Sequence, residues 1–426
     1  MGQTCLVFQK AFEMNCDSMT AEVCDAREQG AFFQDEAGAR PAYWSGVFAM
    51  TLCVFALIAS EFLPVSLLTP MSADLHVTEG MTGQGIAISG AFAVMTSLFI
   101  SSLAGSMNRK TLLLGLTGVM ALSGAVIALA QSYVIYMVGR ALIGVVVGGF
   151  WSLSAATAMR LVPARQVPRA MAVFNGGNAL ATVVAAPVGS YLGSAIGWRG
   201  AFFCLVPVAL IALFWQWMSL PSMQVETRAA GSGNVFKLLK SRTVALGMAA
   251  CSVFFMGQFT LFTYVRPFLE TVTRVNVSAL SLILLVIGVT GFVGTTLIGT
   301  VLKKVGLYRT MIVIPVLMAM IALALIAWGG WVAVVVVMLG CWGLVATAAP
   351  VGWWSWVAQT LPHDAEAGGG LIVAVIQLAI ALGSTVGGLL FDTSGYQSTF
   401  AASAIVLLMA AGLAFMTSRV DRAQSV

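Results

Sequence analysis

Gly105-Ser106-Met107-Asn108-Arg109-Lys110 is a short basic turn set between two long apolar runs, residues 82–106 and 110–130. A helix needs about 20 mostly apolar residues to cross roughly 30 Å of hydrocarbon. Two such runs joined by so tight a turn read as antiparallel membrane helices. The arrangement recurs downstream. Gly299-Thr300-Val301-Leu302-Lys303-Lys304-Val305-Gly306-Leu307-Tyr308-Arg309 joins the runs 279–302 and 309–328. Around these lie further apolar runs at 44–70, 133–158, 169–194 and 199–219, then at 243–268, 331–357, 367–390 and 397–418. The longest polar break in the body, 220–242, begins Leu220-Pro221-Ser222 and separates two sets of six. The expected fold is an all-α integral membrane protein of twelve transmembrane helices. It has two six-helix halves, 44–219 and 243–418, related by pseudo-symmetry. Duplicated units of this kind place a solute site near the midplane, where the halves meet.

Composition excludes the soluble classes. Hydrophobic residues make up 59% of the 426 positions and charged residues 9%, where a soluble domain has roughly 25% charged. The net charge of +5 is no nucleic-acid footprint, because the bases are scattered among the connections. Cys53, Cys204, Cys251 and Cys341 lie inside apolar runs and Cys5, Cys16 and Cys24 near the N-terminus; all seven read as free thiols. Residues 1–43 are polar and acidic, with Glu13, Asp17, Glu22, Asp25, Glu28, Asp35 and Glu36. They lack the basic start and apolar stretch of a signal peptide and read as a disordered cytoplasmic tail. Residues 419–426 form a second, short tail.

The bases set the orientation. With the N-terminus in the cytoplasm, that side receives Arg109, Lys110, Arg160, Arg165, Arg169, Arg228, Lys237, Lys240, Arg242, Lys303, Lys304, Arg309, Arg419 and Arg422. The opposite side receives Arg199, Arg266 and Arg274. This asymmetry puts both termini and the 220–242 loop in the cytoplasm.

Inside the spans, ionisable residues are scarce. Glu61 is the acid well within a run, while Asp74, Glu79, Glu270 and Asp392 lie near span ends. A charge in hydrocarbon costs about 2.5–3.5 kcal/mol or more, so Glu61 needs a compensation, and proton coupling supplies one. The alternative is a structural carboxylate hydrogen-bonded to neighbouring helices. Arg140 is the base within a span. At 1.5 Å per residue, Glu61 and Arg140 both lie roughly 10–15 Å deep. They can meet or be linked by water, or Arg140 can clamp two spans together. No Walker loop, nucleotide fingerprint or zinc spacing occurs, so no cofactor or metal is expected and an ion gradient is the expected energy source. One acid and no His within the spans argue against an intramembrane enzyme.

These features resemble the major facilitator superfamily, in its drug:proton antiporter group. The turn 105–110 is similar to that family's Gly-x-x-x-Asp-Arg/Lys motif, with Asn108 in place of the acid. Arg140-Ala141-Leu142-Ile143-Gly144 is similar to its fourth-span signature. Ala186-Pro187-Val188-Gly189 resembles its antiporter signature, with Ala before Pro. By this resemblance Gly105, Arg109, Lys110, Gly144, Pro187 and Gly189 serve the conformational cycle. A narrower resemblance, to bacterial purine ribonucleoside efflux pumps, covers nearly the whole body. Glu61-Phe62-Leu63-Pro64-Val65-Ser66, Gly148-Gly149-Phe150-Trp151, Gly257-Gln258-Phe259, Thr263-Tyr264-Val265-Arg266-Pro267, Pro350-Val351-Gly352-Trp353 and Val373-Ala374-Val375-Ile376-Gln377-Leu378 hold it.

That resemblance implies export of inosine-like or guanosine-like nucleosides against proton entry. It implies a monomer in the bacterial inner membrane, with the lipid bilayer, protons and a purine nucleoside as partners. Sugar, arabinose or multidrug efflux is the alternative. Spans 1, 4, 7 and 10 line the cavity in this superfamily. The substrate candidates are accordingly Phe150, Trp151, Phe262, Tyr264, Trp353 and Trp354 for stacking, with Gln258 and Gln377 for hydrogen bonding. Asn175 and Asn178 join them from one face of span 5. For each aromatic, core packing is the competing assignment.

Overall fold

The computed structural model describes residues 42–104, 107–223, 235–361 and 365–424. The expectations for residues 1–41, for Gly105 and for residues 224–234 of the central loop lie outside the described residues. The first half comprises α1 (Trp44–Leu75), α2 (Glu79–Ala104), α3 (Arg109–Ala128), α4 (Tyr133–Arg160), α5 (Val167–Phe203) and α6 (Leu205–Ser219). The second comprises α7 (Arg242–Phe262), α8 (Val265–Thr271), α9 (Val277–Val305), α10 (Leu307–Trp328), α11 (Val332–Ala346), α12 (Ala349–Thr360) and α13 (Ala365–Gln424).

Among the described residues, ten helical stretches are long and apolar enough to cross a bilayer, and two of these, Arg169–Ser219 and Gly368–Ala423, are of double length. Each double stretch bends at one glycine: Gly197 (φ 78°, ψ 162°) and Gly395 (φ 78°, ψ −178°). A side chain is rarely tolerated at that backbone conformation. The two bends occupy matching places in the halves, so the chain crosses twelve times, six in each half.

Prolines break the spans that are not single helices. Pro267 has no N–H for the carbonyl of Thr263, and span 7 is interrupted at Thr263 and Tyr264, between α7 and α8. Pro350 follows the break between α11 and α12 in span 10. Caps are polar side chains. Asn276 accepts from Ala279 N at 2.8 Å to start α9. Asn108 accepts from Lys110 N at 2.9 Å to start α3.

Each half has its own apolar core. The first centres on Met50, Val54, Leu57, Val147 and Phe150. The second centres on Phe254, Phe268, Trp342 and Trp356. Val65 and Ile86 of the first half belong to the second half's core, and Phe62 packs against both. The halves meet along α2 against α13 and α5 against α9.

Candidate functional site

The site is built around two prolines of α1. A proline at position i leaves the carbonyl of i−4 without its helical donor. Pro64 thereby frees the carbonyl of Ser60, and Arg140 Nη1 donates to it at 2.9 Å. The same guanidinium donates through Nη2 to the Glu61 carbonyl at 3.2 Å and through Nε to the Gly85 carbonyl at 2.9 Å. Arg140 is fully buried. It therefore ties α1, α2 and α4 together through backbone oxygens. The direct Glu61–Arg140 ion pair considered from the sequence is not formed: the guanidinium's hydrogen bonds go to carbonyls of α1 and α2, one of them freed by Pro64.

Pro70 repeats the device at the end of α1 away from the termini. It frees the carbonyl of Ser66, and Arg266 Nη1 from the opposite half donates to it. Arg266 also pairs with Glu270 at 2.8 Å, four residues on. A third case is Pro187, which frees the carbonyl of Val183; Gly288 of α9 lies against Val183 there, where a Cβ would not fit.

The Glu61 side chain is 6% exposed and accepts from Gln377 Nε2 at 3.2 Å. That bond joins α1 of one half to α13 of the other. The carboxylate's hydrogen-bond partner is thus an amide and not a cation. One residue on, Phe62 stacks on Phe259 of the second half, with ring centroids 5.9 Å apart and planes at 24°. Sequence reasoning passed over Phe62 as a site residue, although it stands next to Glu61 in a quoted motif.

Further cross-half contacts lie on the far side of the bundle. Asp392 accepts from Thr78 Oγ1 at 2.6 Å and from Gly80 N at 3.0 Å, capping α2 from the opposite half. Thr385 Oγ1 donates to Gln84 Oε1 at 3.0 Å. Together with Arg266–Ser66 these contacts join the halves on the side away from the termini.

The other sequence candidates separate by environment. Phe150, Tyr264 and Trp353 are buried among packed side chains in this conformation. Tyr264 donates to the Ser384 carbonyl at 2.8 Å and stacks on Phe391. Trp151 is half-buried and meets Phe174 edge-on. Phe262 is half-buried, edge-on to Phe259. Trp354 is exposed. Asn175 is exposed, its amide turned to the Met171 carbonyl of its own helix at 2.8 Å, and Asn178 is half-buried. Gln258 is buried, and its Oε1 has no hydrogen-bond partner among the described residues.

The motif residues are structural contacts. Gly144 and Gly148 let α4 touch the backbone of α2 at Ser89 and Ala93. Gly189 sits on Leu63 and Ser66 of α1. Asn108, where an acid was expected, donates to Ser222 Oγ at 2.6 Å and accepts from Met223 N at 3.1 Å, while Arg109 N donates to the Met223 carbonyl at 3.0 Å. Asn108 thereby fastens the 2–3 turn to the start of the central loop.

A family model described as Major Facilitator Superfamily matches residues 50–384. The chain belongs to the Major Facilitator Superfamily. It is a secondary transporter and a multi-pass membrane protein, not an enzyme. Among relatives, it is 68% identical over 379 residues to the "Transcription regulatory protein OpdE" of Pseudomonas aeruginosa, covering 88% of this chain and 94% of the relative. It is 40% identical to the "Purine ribonucleoside efflux pump NepI" of Salmonella enteritidis, covering 89% of this chain and 95% of that pump. Among solved structures, the nucleoside transporter NupG superposes with a TM-score of 0.72 at 13% identity, over 88% of this chain and 98% of that one. A bacterial homologue of the lysosomal transporter Spinster superposes with a TM-score of 0.73 at 15% identity, over 89% and 98%. Both share the superfamily's two-half architecture.

Proposed function

We propose that this superfamily member exports purine ribonucleosides in exchange for protons across the bacterial inner membrane, with both termini and the 220–242 loop cytoplasmic. The 40% identity to NepI over nearly its full length supports the solute class. The observation that supports the mechanism is the Glu61–Gln377 hydrogen bond, a buried acid held by an amide of the opposite half. Glu61 takes the proton. As a carboxylate it accepts from Gln377 Nε2. As a neutral acid it gains an O–H donor while keeping an acceptor oxygen, and Gln377 can turn its Oε1 toward α1 to accept the new proton. Protonation therefore changes a contact between the halves. Such a contact is where a transporter that alternates access needs its coupling.

With the positive-inside orientation, the Asp392, Thr385 and Arg266 contacts close the outer side. The solute then enters from the cytoplasm and reaches Glu61, Gln377, Gln258 and the Phe62–Phe259 pair near the midplane. Arg140 holds the backbone of α1 at Ser60 and Glu61 and so positions the Glu61 side chain. Arg109, Lys110, Gly144, Pro187 and Gly189 keep the helices of the first half moving as a unit.

The test is transport of inosine by purified protein in liposomes under an imposed pH gradient, beside growth of an overexpressing strain on toxic purine nucleosides, sugars and dyes. Gradient-dependent inosine movement with resistance confined to purine analogues supports the reading. Resistance to dyes or sugars without nucleoside transport overturns it.

The name of the 68% relative favours a second reading, that the chain influences gene expression. A transporter does so by changing the cytoplasmic concentration of an effector solute. A Glu61→Gln chain that loses transport would then lose its effect on transcription as well; an effect that survives the loss of transport points to a direct regulator.

A further inference from the structure

Glu61 and Gln258, Phe62 and Phe259, and Pro70 and Pro267 are each separated by the same interval of 197 residues. The pairs occupy matching places on the first span of each half, and the stacked Phe62–Phe259 rings join the two copies. Glu61 and Gln258 are thus counterparts flanking one point. Their surroundings differ. Glu61 has its partner, Gln377, from the opposite half. Gln258 is 9% exposed, and its Oε1 has no donor among the described residues. A buried amide oxygen without a donor is costly, so this one points to a donor supplied from outside the protein. Phe262 lies four residues along, on the same face of α7, and packs edge-on against Phe259 at 6.1 Å. An amide and an aromatic edge on one helix face suit a flat heterocycle with hydrogen-bonding atoms on its rim.

We propose, resting on the nucleoside reading, that the Gln258 carboxamide recognises the base: Oε1 accepts the lactam N–H of a 6-oxopurine, and Nε2 donates to the adjacent ring carbonyl. A carboxamide presents one acceptor and one donor side by side, and a cis-lactam presents the complementary pair. Glu61 handles the proton and its counterpart reads the solute, so the two halves contribute one group each to coupling.

The experiment measures KM for inosine and for 1-methylinosine, which lacks the lactam N–H, in liposomes bearing the full chain or its Gln258→Met variant. In the wild type the methylated solute should have a KM about tenfold to a hundredfold higher, and Gln258→Met should raise the inosine KM by a similar factor while no longer separating the two solutes. A Gln258→Met chain that still separates them, or that keeps the wild-type inosine KM, overturns the pairing. A wild type that handles both solutes alike overturns it too, in favour of ribose recognition. A Gln258→Glu variant guards against misfolding of the Met variant. Its carboxylate accepts from two donors, so guanosine, with a ring N–H and a 2-amino group, should be favoured over inosine, and no change in that ratio contradicts the pairing. A wild type that moves sugars or dyes but no nucleoside removes the nucleoside reading itself. Inosine transport with an unaltered Gln258→Met variant removes the pairing alone.

Discussion

Pro64 withdraws one N–H from α1, and Arg140 fills the gap with its own. The pairing accounts for an otherwise expensive residue: a fully buried guanidinium satisfied by the carbonyls of Ser60, Glu61 and Gly85. Arg140→Leu would strand the Ser60 carbonyl that Pro64 has freed, at about 1–3 kcal/mol, and would remove the ties to the Glu61 and Gly85 carbonyls. The expected outcome is a sharp fall in the melting temperature of the detergent-purified protein and in the yield of monodisperse material. A variant that melts with the wild type would contradict the clamp. Glu61 and Arg140 were legible in the sequence because lone ionisable groups stand out in apolar runs, and counting the helical rise placed them at similar depth. Their relation was not legible, since it depends on which side-chain atoms reach the freed carbonyl. The signal was nonetheless present, because Pro64 stands four residues after Ser60. The aromatics were least legible. Phe150 and Trp354 are equally apolar in sequence, yet one faces the core and the other is exposed, and helix rotation alone decides between them.

At the scale of elements, the breaks and bends follow proline and glycine. The fifth and sixth spans, like the eleventh and twelfth, looked like separate helices. They are separate helices that meet directly at Gly197 and Gly395, where a glycine at positive φ lets the chain reverse without a loop. An alanine at either bend should cost about 1–3 kcal/mol, read as a lower melting temperature. Gly412→Ala, in a helix with open space at the Cβ, should melt at or above the wild type. If all three variants behave alike, the bends do not require glycine. Pro70 governs a second element-level property. Pro70→Ala restores an N–H to α1 that competes with Arg266 for the Ser66 carbonyl. Loss of a charged hydrogen bond is worth about 1.5–3 kcal/mol, so the outer contact should loosen and the outward-open population should rise by about tenfold to a hundredfold. Thiol labelling of a cysteine placed at Ile86, an α2 residue buried in the second half's core, would report it; labelling no faster than in the same cysteine background with Pro70 intact would contradict the latch.

At the scale of the molecule, two six-helix halves were readable from the apolar runs, the paired basic turns and the polar break at 220–242. What the runs could not show is which side the halves close. Closure depends on Thr78, Gly80, Gln84, Asp392 and Arg266, polar groups at span ends that look like ordinary loop residues. With those contacts in place, Glu61, Gln377, Gln258 and the Phe62–Phe259 pair occupy the junction that both halves share. The proposed cycle assigns the proton to Glu61 and the solute to the groups around it. The most direct test is inosine transport in liposomes, wild type against Glu61→Gln, with and without a pH gradient. The wild type should accumulate inosine against its gradient when protons flow the other way, whereas Glu61→Gln should still exchange inosine between the two sides but show no response to pH. Gradient-driven accumulation that survives in Glu61→Gln would contradict the account.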